Sequence, residues 1–275
     1  MRFTLDNTII GFIGAGNMAN SLIRGILAKG KSPSTVLAAD IDATKLGSLR
    51  KETKIETMSN QENVDRADVI VLAVKPQIME SVCLDLNLFA PSKLIISIAA
   101  GTTVTQLQKW LGNATPVVRC MPNTPALIGK GATGMFANKH VDHNQRLLAE
   151  EIMGTVGMSA WVEKESDIDI ITAVSGSGPA YFFLFMEALE EAAQELGLSE
   201  DLAKSLIYNT AVGAAELAKT SGGSAAELRR KVTSPGGTTQ HALSVFEARG
   251  FKNLVQEALT AARDRSIELA KESSN

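Results

Sequence analysis

Two stretches combine residue types that could do chemistry. The first is Ser234-Pro235-Gly236-Gly237-Thr238-Thr239. Hydroxyls, a proline and glycines ahead of an amphipathic run beginning at Gln240 predict a helix start. First-turn N–H groups of a helix lack internal partners and carry the positive end of its dipole. Such a loop suits a small anion, for example a carboxylate. A plain capped turn between two helices would read the same way in isolation. The second stretch is Gly14-Ala15-Gly16-Asn17-Met18-Ala19, which fits the G-x-G-x-x-G/A spacing of a pyrophosphate turn. Gly14 would permit the tight turn, Gly16 the approach of the pyrophosphate, and Ala19 close packing of helix on strand.

Further candidates follow from these two. Asp40 lies about 20 residues beyond the glycine turn, where a carboxylate commonly takes a ribose hydroxyl. A carboxylate there repels a 2′-phosphate, and Asp42 adds to this if it points the same way, so NADH is expected to be at least tolerated. Asp40 could instead cap the next helix. Lys75 is either an acid or phosphate ligand, or a strand-end residue offering backbone contacts. Asn60 is an adenosine contact or a helix cap, and His241 a proton donor or, preferably, a partly buried helical histidine. Phe182, Phe183 and Phe185 form a pocket lining or, preferably, a core or dimer face.

The elements that must position these residues are legible as pattern. Thr8 to Ile13 is a short apolar run that reads as a buried strand, followed by the glycine turn and a helix ending at Gly30. Thr35 to Ala39, Asp68 to Val74, Lys93 to Ile98 and Pro116 to Cys120 read as further strands. Their near-continuous apolar character is that of parallel strands covered on both faces. Ligands of such sheets sit at the carboxyl ends of the strands. Ala73, Val74, Lys75 and Pro76, with Ala99, Ala100 and Gly101, should therefore ring the same cofactor as Gly14, Ala15, Gly16, Asn17, Met18, Asp40 and Asn60. Gly131 to Ala137 and Ser159 to Val162 are two more strand candidates. From Ser166 onward the pattern is helical, interrupted by Ser175-Gly176-Ser177-Gly178-Pro179 and by the loop at Ser234. The expected organisation is an α/β Rossmann domain, doubly wound and mostly parallel, over residues 1–164, and an all-α domain over 165–275.

Composition narrows the function classes. The 275 residues are 45% hydrophobic and 21% charged, with net charge −3. This fits a soluble globular protein and gives no basic face for nucleic acid. The two cysteines, Cys83 and Cys120, have no metal-ligand spacing and fit reduced thiols in a cytoplasmic protein. The three histidines, His140, His143 and His241, suggest no metal triad by spacing, so no metal is expected. Ile9 to Ile13 is too short to span a bilayer, and no membrane partner is expected. Broad apolar faces on the C-terminal helices predict a homo-oligomer.

With these residues placed, the chain resembles the pyrroline-5-carboxylate reductase family over nearly its whole length. The resemblance is carried by Ile13-Gly14-Ala15-Gly16-Asn17-Met18, Ala73-Val74-Lys75-Pro76, Met121-Pro122-Asn123-Thr124-Pro125, Ser175-Gly176-Ser177-Gly178-Pro179-Ala180-Tyr181 and Ser234-Pro235-Gly236-Gly237-Thr238-Thr239. It implies reduction of a cyclic imino acid, Δ1-pyrroline-5-carboxylate, to L-proline with NADPH or NADH. It implies a substrate carboxylate held by Ser234, Gly237, Thr238 and Thr239, with Thr239 contacting the ring nitrogen as the catalytic residue, and Glu165 near the substrate. It also implies homodimers interlocked through the C-terminal helices and assembled into decamers. Many relatives carry a small hydroxyl or basic residue near Asp40, so their usual NADPH preference does not transfer directly.

Two other readings share the two-domain plan. One is a β-hydroxyacid dehydrogenase or other imine reductase; such dehydrogenases commonly use a helical-domain lysine as acid–base, and Lys204, Lys219 and Lys231 are available, but none sits in a matching glycine-rich context. A non-enzymatic dinucleotide sensor would keep the Gly14 loop and not need the Ser234 loop.

Overall fold

A computed structural model describes Leu5, residues 8–86 and residues 93–272. Eight strands form one sheet: β1 (Ile10–Ile13), β2 (Val36–Ala39), β3 (Glu56–Thr57), β4 (Val69–Leu72), β5 (Leu94–Ser97), β6 (Val117–Met121), β7 (Gly131–Ala137) and β8 (Gly157–Trp161). Their spatial order is β3-β2-β1-β4-β5-β6-β7-β8. All neighbours are parallel except β6 and β7.

The apolar runs form strands because the sheet is covered on both faces. Every residue of β1, β2, β4 and β5 is buried. Alternate side chains go to opposite layers, as the two-residue period of a strand requires. Phe12, Ala38, Val71 and Ile96 join one apolar layer. Ile13, Leu37, Leu72 and Ile95 join the other.

Six helices connect these strands: α1 (Asn17–Ala28), α2 (Ala43–Thr53), α3 (Asn60–Arg66), α4 (Pro76–Asp85), α5 (Val104–Leu111) and α6 (His143–Gly154). Their starts are set locally. Asp42 caps α2 by accepting the N–H groups of Thr44 and Lys45. Ser59 with Glu62, Thr103 with Gln106 and Asp142 with Gln145 form capping boxes at α3, α5 and α6. Pro76 opens α4, where its missing N–H costs nothing.

The remaining helices are α7 (Asp167–Ile171), α8 (Gly178–Glu195), α9 (Glu200–Thr220), α10 (Ala225–Lys231), α11 (Thr238–Ala248) and α12 (Phe251–Glu272). The chain divides into two compact units. One comprises Met1–Ser177 with Ala261–Asn275, the other Gly178–Thr260. Within the second, α8 and α9 pack together, and the Phe246 ring lies tilted 6.1 Å from Phe185 and edge-on 5.6 Å from Phe251, centroid to centroid.

Three expectations need correcting. Ser175-Gly176-Ser177-Gly178-Pro179 does not break the helix. Thr172–Gly176 is a π-helical turn closed by Ser177 N–H on the Thr172 carbonyl at 2.8 Å, and α8 resumes at Gly178. Inserting one residue into the turn widens it while keeping the backbone bonded. The helix after the Ser234 loop begins at Thr238, not Gln240, so both threonines lie in its first turn. Asn60 is the first helical residue of α3, and Ser59 is its cap. The segment Asp167–Glu195 is also long and apolar enough, at hydropathy 1.3, to cross a membrane by length and composition alone.

Candidate functional site: a dinucleotide turn and an anion loop

The glycine turn is held from three sides. Gly14 N–H donates to the Ala39 carbonyl at 2.8 Å, tying the turn to the end of β2. Ala15 N–H donates to Asp40 Oδ2 at 2.7 Å. Gly14 adopts φ +100°, and a Cβ there would lie 2.7 Å from the carbonyl oxygen of Ala73. Only glycine fits both demands. The same contact presses the turn against Ala73 and Val74 at the end of β4. Gly16 differs. It is the N-cap of α1 with φ −71° and no side-chain cap, and a Cβ there would meet no atom within 4 Å. Uncapped N–H groups beside open space at a helix start fit a pyrophosphate.

The other expected cofactor residues fall on the same side of the sheet. Lys75 is the extended residue before α4, exposed, and its side chain has no hydrogen-bond partner among the described residues. Ala99, Ala100 and Gly101 follow β5, the neighbour of β4. Met18 packs against the core beneath the turn. Asn60 begins α3, the helix that follows β3 in the chain and packs on β1 and β2. Asp40 has a role that sequence reasoning missed. Besides Ala15 it accepts Asp42 N–H at 2.9 Å, so both carboxylate oxygens hold backbone. Asp42, not Asp40, caps α2.

Glu165 is fixed in a charge network around the buried Arg119. Its Oε1 accepts Val104 N–H at 2.8 Å and Arg119 at 3.0 Å. Arg119, on β6, is 2% exposed and also reaches Asp169 Oδ1 at 3.2 Å, which takes Ser266 Oγ at 2.9 Å. Sequence reasoning missed Arg119 and Asp169. The available signal was one charge inside the buried run Pro116 to Cys120, since a buried charge must be paired. Asn123 of the Met121–Pro125 motif is a second missed tie. Its Nδ2 donates to the Ser175 carbonyl at 2.9 Å and its Oδ1 accepts Ala132 N–H at 2.8 Å. Two sequence motifs are thereby joined.

The Ser234 loop belongs to the second unit. Gly237 N–H closes a turn on the Ser234 carbonyl at 3.1 Å, and Gly236 sits at φ +71°. Gly236 N–H also donates to Gln240 Oε1 at 2.6 Å. Gly237 is the N-cap of α11 and supplies no side-chain acceptor, so the first-turn N–H groups stay uncapped. The hydroxyls of Ser234, Thr238 and Thr239 bond no side chain among the described residues, while Thr239 is half-buried. His241 Nδ1 lies 3.0 Å from the Gly237 carbonyl, a contact that requires its proton on Nδ1. Of the candidate lysines, Lys204 is paired with Glu200 at 2.6 Å on an exposed face, which raises its pKa.

A mostly parallel sheet in this order, with a glycine turn at the carboxyl end of β1 and an acid at that of β2, defines a dinucleotide-binding protein of the Rossmann class. The chain belongs to the pyrroline-5-carboxylate reductase family: it is 50% identical to the reductase of Pseudomonas aeruginosa over 265 residues, covering 96% of this chain and 97% of the relative. The family model for pyrroline-5-carboxylate reductase dimerisation matches residues 165–269. That for NADP oxidoreductase, coenzyme F420-dependent, matches residues 9–101. Among solved structures, the Coxiella burnetii reductase superposes with TM-score 0.89 at 44% identity, covering 96% of this chain and 98% of its own. The Plasmodium falciparum reductase, solved with NADP bound, gives TM-score 0.87 at 34% identity, over 97% and 100%. The C-terminal region is thus an oligomerisation region. Phe182 and Phe183 lie exposed on it at 66% and 62%.

Proposed function

We propose that this chain reduces Δ1-pyrroline-5-carboxylate to L-proline with NAD(P)H, the last step of proline biosynthesis. The observation that carries the reading is the pairing of two sites in one chain of this family. Gly14, Gly16 and Asp40 form a turn that fits a dinucleotide, and Ser234 to Thr239 form an uncapped helix start that fits a carboxylate. A sensor of dinucleotides would need only the first.

When bound, the coenzyme supplies the hydride. Gly14, Ala15, Gly16, Asn17 and Met18 hold its phosphates, with Ala73, Val74, Lys75, Pro76, Ala99, Ala100 and Gly101 around it and Asn60 toward the adenosine. Ser234, Gly237 and Thr238 hold the substrate carboxylate through N–H and O–H donors. Thr239 orients the imine through its nitrogen, and a protonated imine accepts hydride better than a neutral one. The family resemblance implies a substrate role for Glu165, whose orientation is set by Arg119 and Val104 N–H. Residues 1–164 bind coenzyme, and 165–275 bind substrate and dimerise, with dimers assembling to a decamer in the cytoplasm.

The test is NAD(P)H oxidation with pyrroline-5-carboxylate as sole acceptor. Loss of a hydrogen bond to a charged group costs about 1.5–3 kcal/mol, so Thr239→Ala should lower kcat/KM about ten- to a hundred-fold. An unchanged mutant removes Thr239 from the mechanism. Failure to rescue a proline auxotroph would sink the activity itself, and light scattering that gives a monomer would remove the assembly.

A further inference from the structure

We propose that the cleft between α1 and α2 rejects a 2′-phosphate and so makes this chain use NADH in preference to NADPH. The inference rests on the coenzyme reading above and names what decides between its two forms.

The cleft, of about 450 Å³, runs from Ala15, Gly16 and Asn17 of the glycine turn to the start of α2. In this fold the adenosine ribose lies between the carboxyl ends of β1 and β2, so a 2′-phosphate would project toward the cleft. Two cations line it, Arg24 and Lys45, and two carboxylates, Asp42 and Glu52. Each cation is already paired. Arg24 Nη2 bonds Glu52 Oε2, and Lys45 Nζ lies 3.5 Å from Asp42 Oδ2. A 2′-phosphate would have to compete with Glu52 and Asp42 for these two exposed cations.

Asp40 stands beside the cleft, bonded to Ala15. The five groups sum to −1, from two cations and three carboxylates. A phosphate monoester adds about −1.5 to −2, and its oxygens only accept hydrogen bonds. A 2′-hydroxyl adds no charge and can donate. Asp40 retains acceptor sites for it, because a carboxylate offers about four and backbone N–H groups use two. Hydrogen bonds from the Lys45 backbone N–H, foremost, and from its side chain hold the Asp42 carboxyl below the usual carboxylate range. Asp42 is therefore ionised at neutral pH.

Asp40 itself is a poor place to test this, since replacing it also releases the glycine turn. Asp42→Asn and Glu52→Gln are cleaner. Asparagine caps a helix as well as aspartate does, and glutamine still accepts from Arg24. The experiment titrates NADH and NADPH by calorimetry on the full chain, and measures kcat/KM with each. Wild type should bind NADH more tightly. Unit charges about 4 Å apart in water differ about five-fold in binding, so each substitution should raise the NADPH-to-NADH affinity ratio about five- to ten-fold, and the double variant more. A wild type that favours NADPH overturns the proposal, as does a ratio unmoved in folded Asp42→Asn and Glu52→Gln proteins. If neither dinucleotide binds, the coenzyme reading falls and this proposal with it. Binding of both without discrimination sinks the proposal alone.

Discussion

Arg119 and Glu165 stand 46 positions apart in the chain and meet at 3.0 Å, with the guanidinium 2% exposed. Together with Asp169 they place one cation between two carboxylates. Removing the buried Arg119 leaves two partly exposed carboxylates without their cation. Arg119→Met should therefore lower unfolding stability by about 3 kcal/mol. Arg119→Lys should rescue only part of this, because an ammonium does not offer the planar fork that reaches two carboxylates. Urea denaturation reads both, and an unshifted midpoint in Arg119→Met refutes the network's importance.

The two glycines of the dinucleotide turn should fail differently. Gly14→Ala faces a positive φ and a carbonyl oxygen 2.7 Å from its new Cβ. Overpacking alone costs about 1–3 kcal/mol, so both the melting temperature and dinucleotide affinity should drop. Gly16→Ala meets open space at φ −71°. Its stability should stay within about 0.5 kcal/mol of wild type, while affinity falls because the methyl stands where the pyrophosphate must approach. Paired melting and calorimetric titrations distinguish the two. A Gly16→Ala protein that binds dinucleotide normally would remove that role.

Thr102 is fully buried, and its hydroxyl has no partner among the described residues. Valine keeps the shape and drops the unpaired oxygen. Thr102→Val should thus raise stability by about 1 kcal/mol, the lower end of the cost of an unpaired buried polar group. A destabilised variant would mean that the hydroxyl holds a partner in solution.

Cys83 and Cys120 are both buried, and burial pushes the Cys83 thiol up to about 12 and Cys120 higher still. The unfolded chain gives up these protons at a lower pH than the folded one. Their contribution is whole below about pH 9 and is lost as pH rises toward 12. Each thiol should add a slope of about 1.4 kcal/mol per pH unit in that window. Alkaline denaturation of Cys83→Ala and Cys120→Ala measures it. A slope equal to wild type in both would contradict the burial argument.

Much of the fold was legible because a doubly covered parallel sheet writes itself as uninterrupted apolar runs. The turn at Gly14 and Gly16 was legible because backbone geometry leaves few residue types for it, whereas the hold of Asp40 on Ala15 and Asp42 N–H was not. Other features needed the third dimension. The partners of Arg119 lie 46 and 50 positions later. Gln106 Nε2 donates to the carbonyl of Ala270, 164 positions on. No local pattern points to either. The π-helical turn at Thr172 was misread because Ser-Gly-Ser-Gly-Pro has loop composition, and only the bond from Ser177 to Thr172 shows that the helix persists. Glu165 was named for its nearness to substrate, and the sequence did not say what holds it.

The last turns of α12 belong with the first unit, where Ser266 bonds Asp169 and Ala270 accepts from Gln106. This has a consequence for biosynthesis. A ribosome releases the chain from its N-terminus, so the sheet emerges whole while its closing segment is still untranslated. Nascent chains ending before Ala261 lack those two bonds, and the unit begun first is the last to be completed.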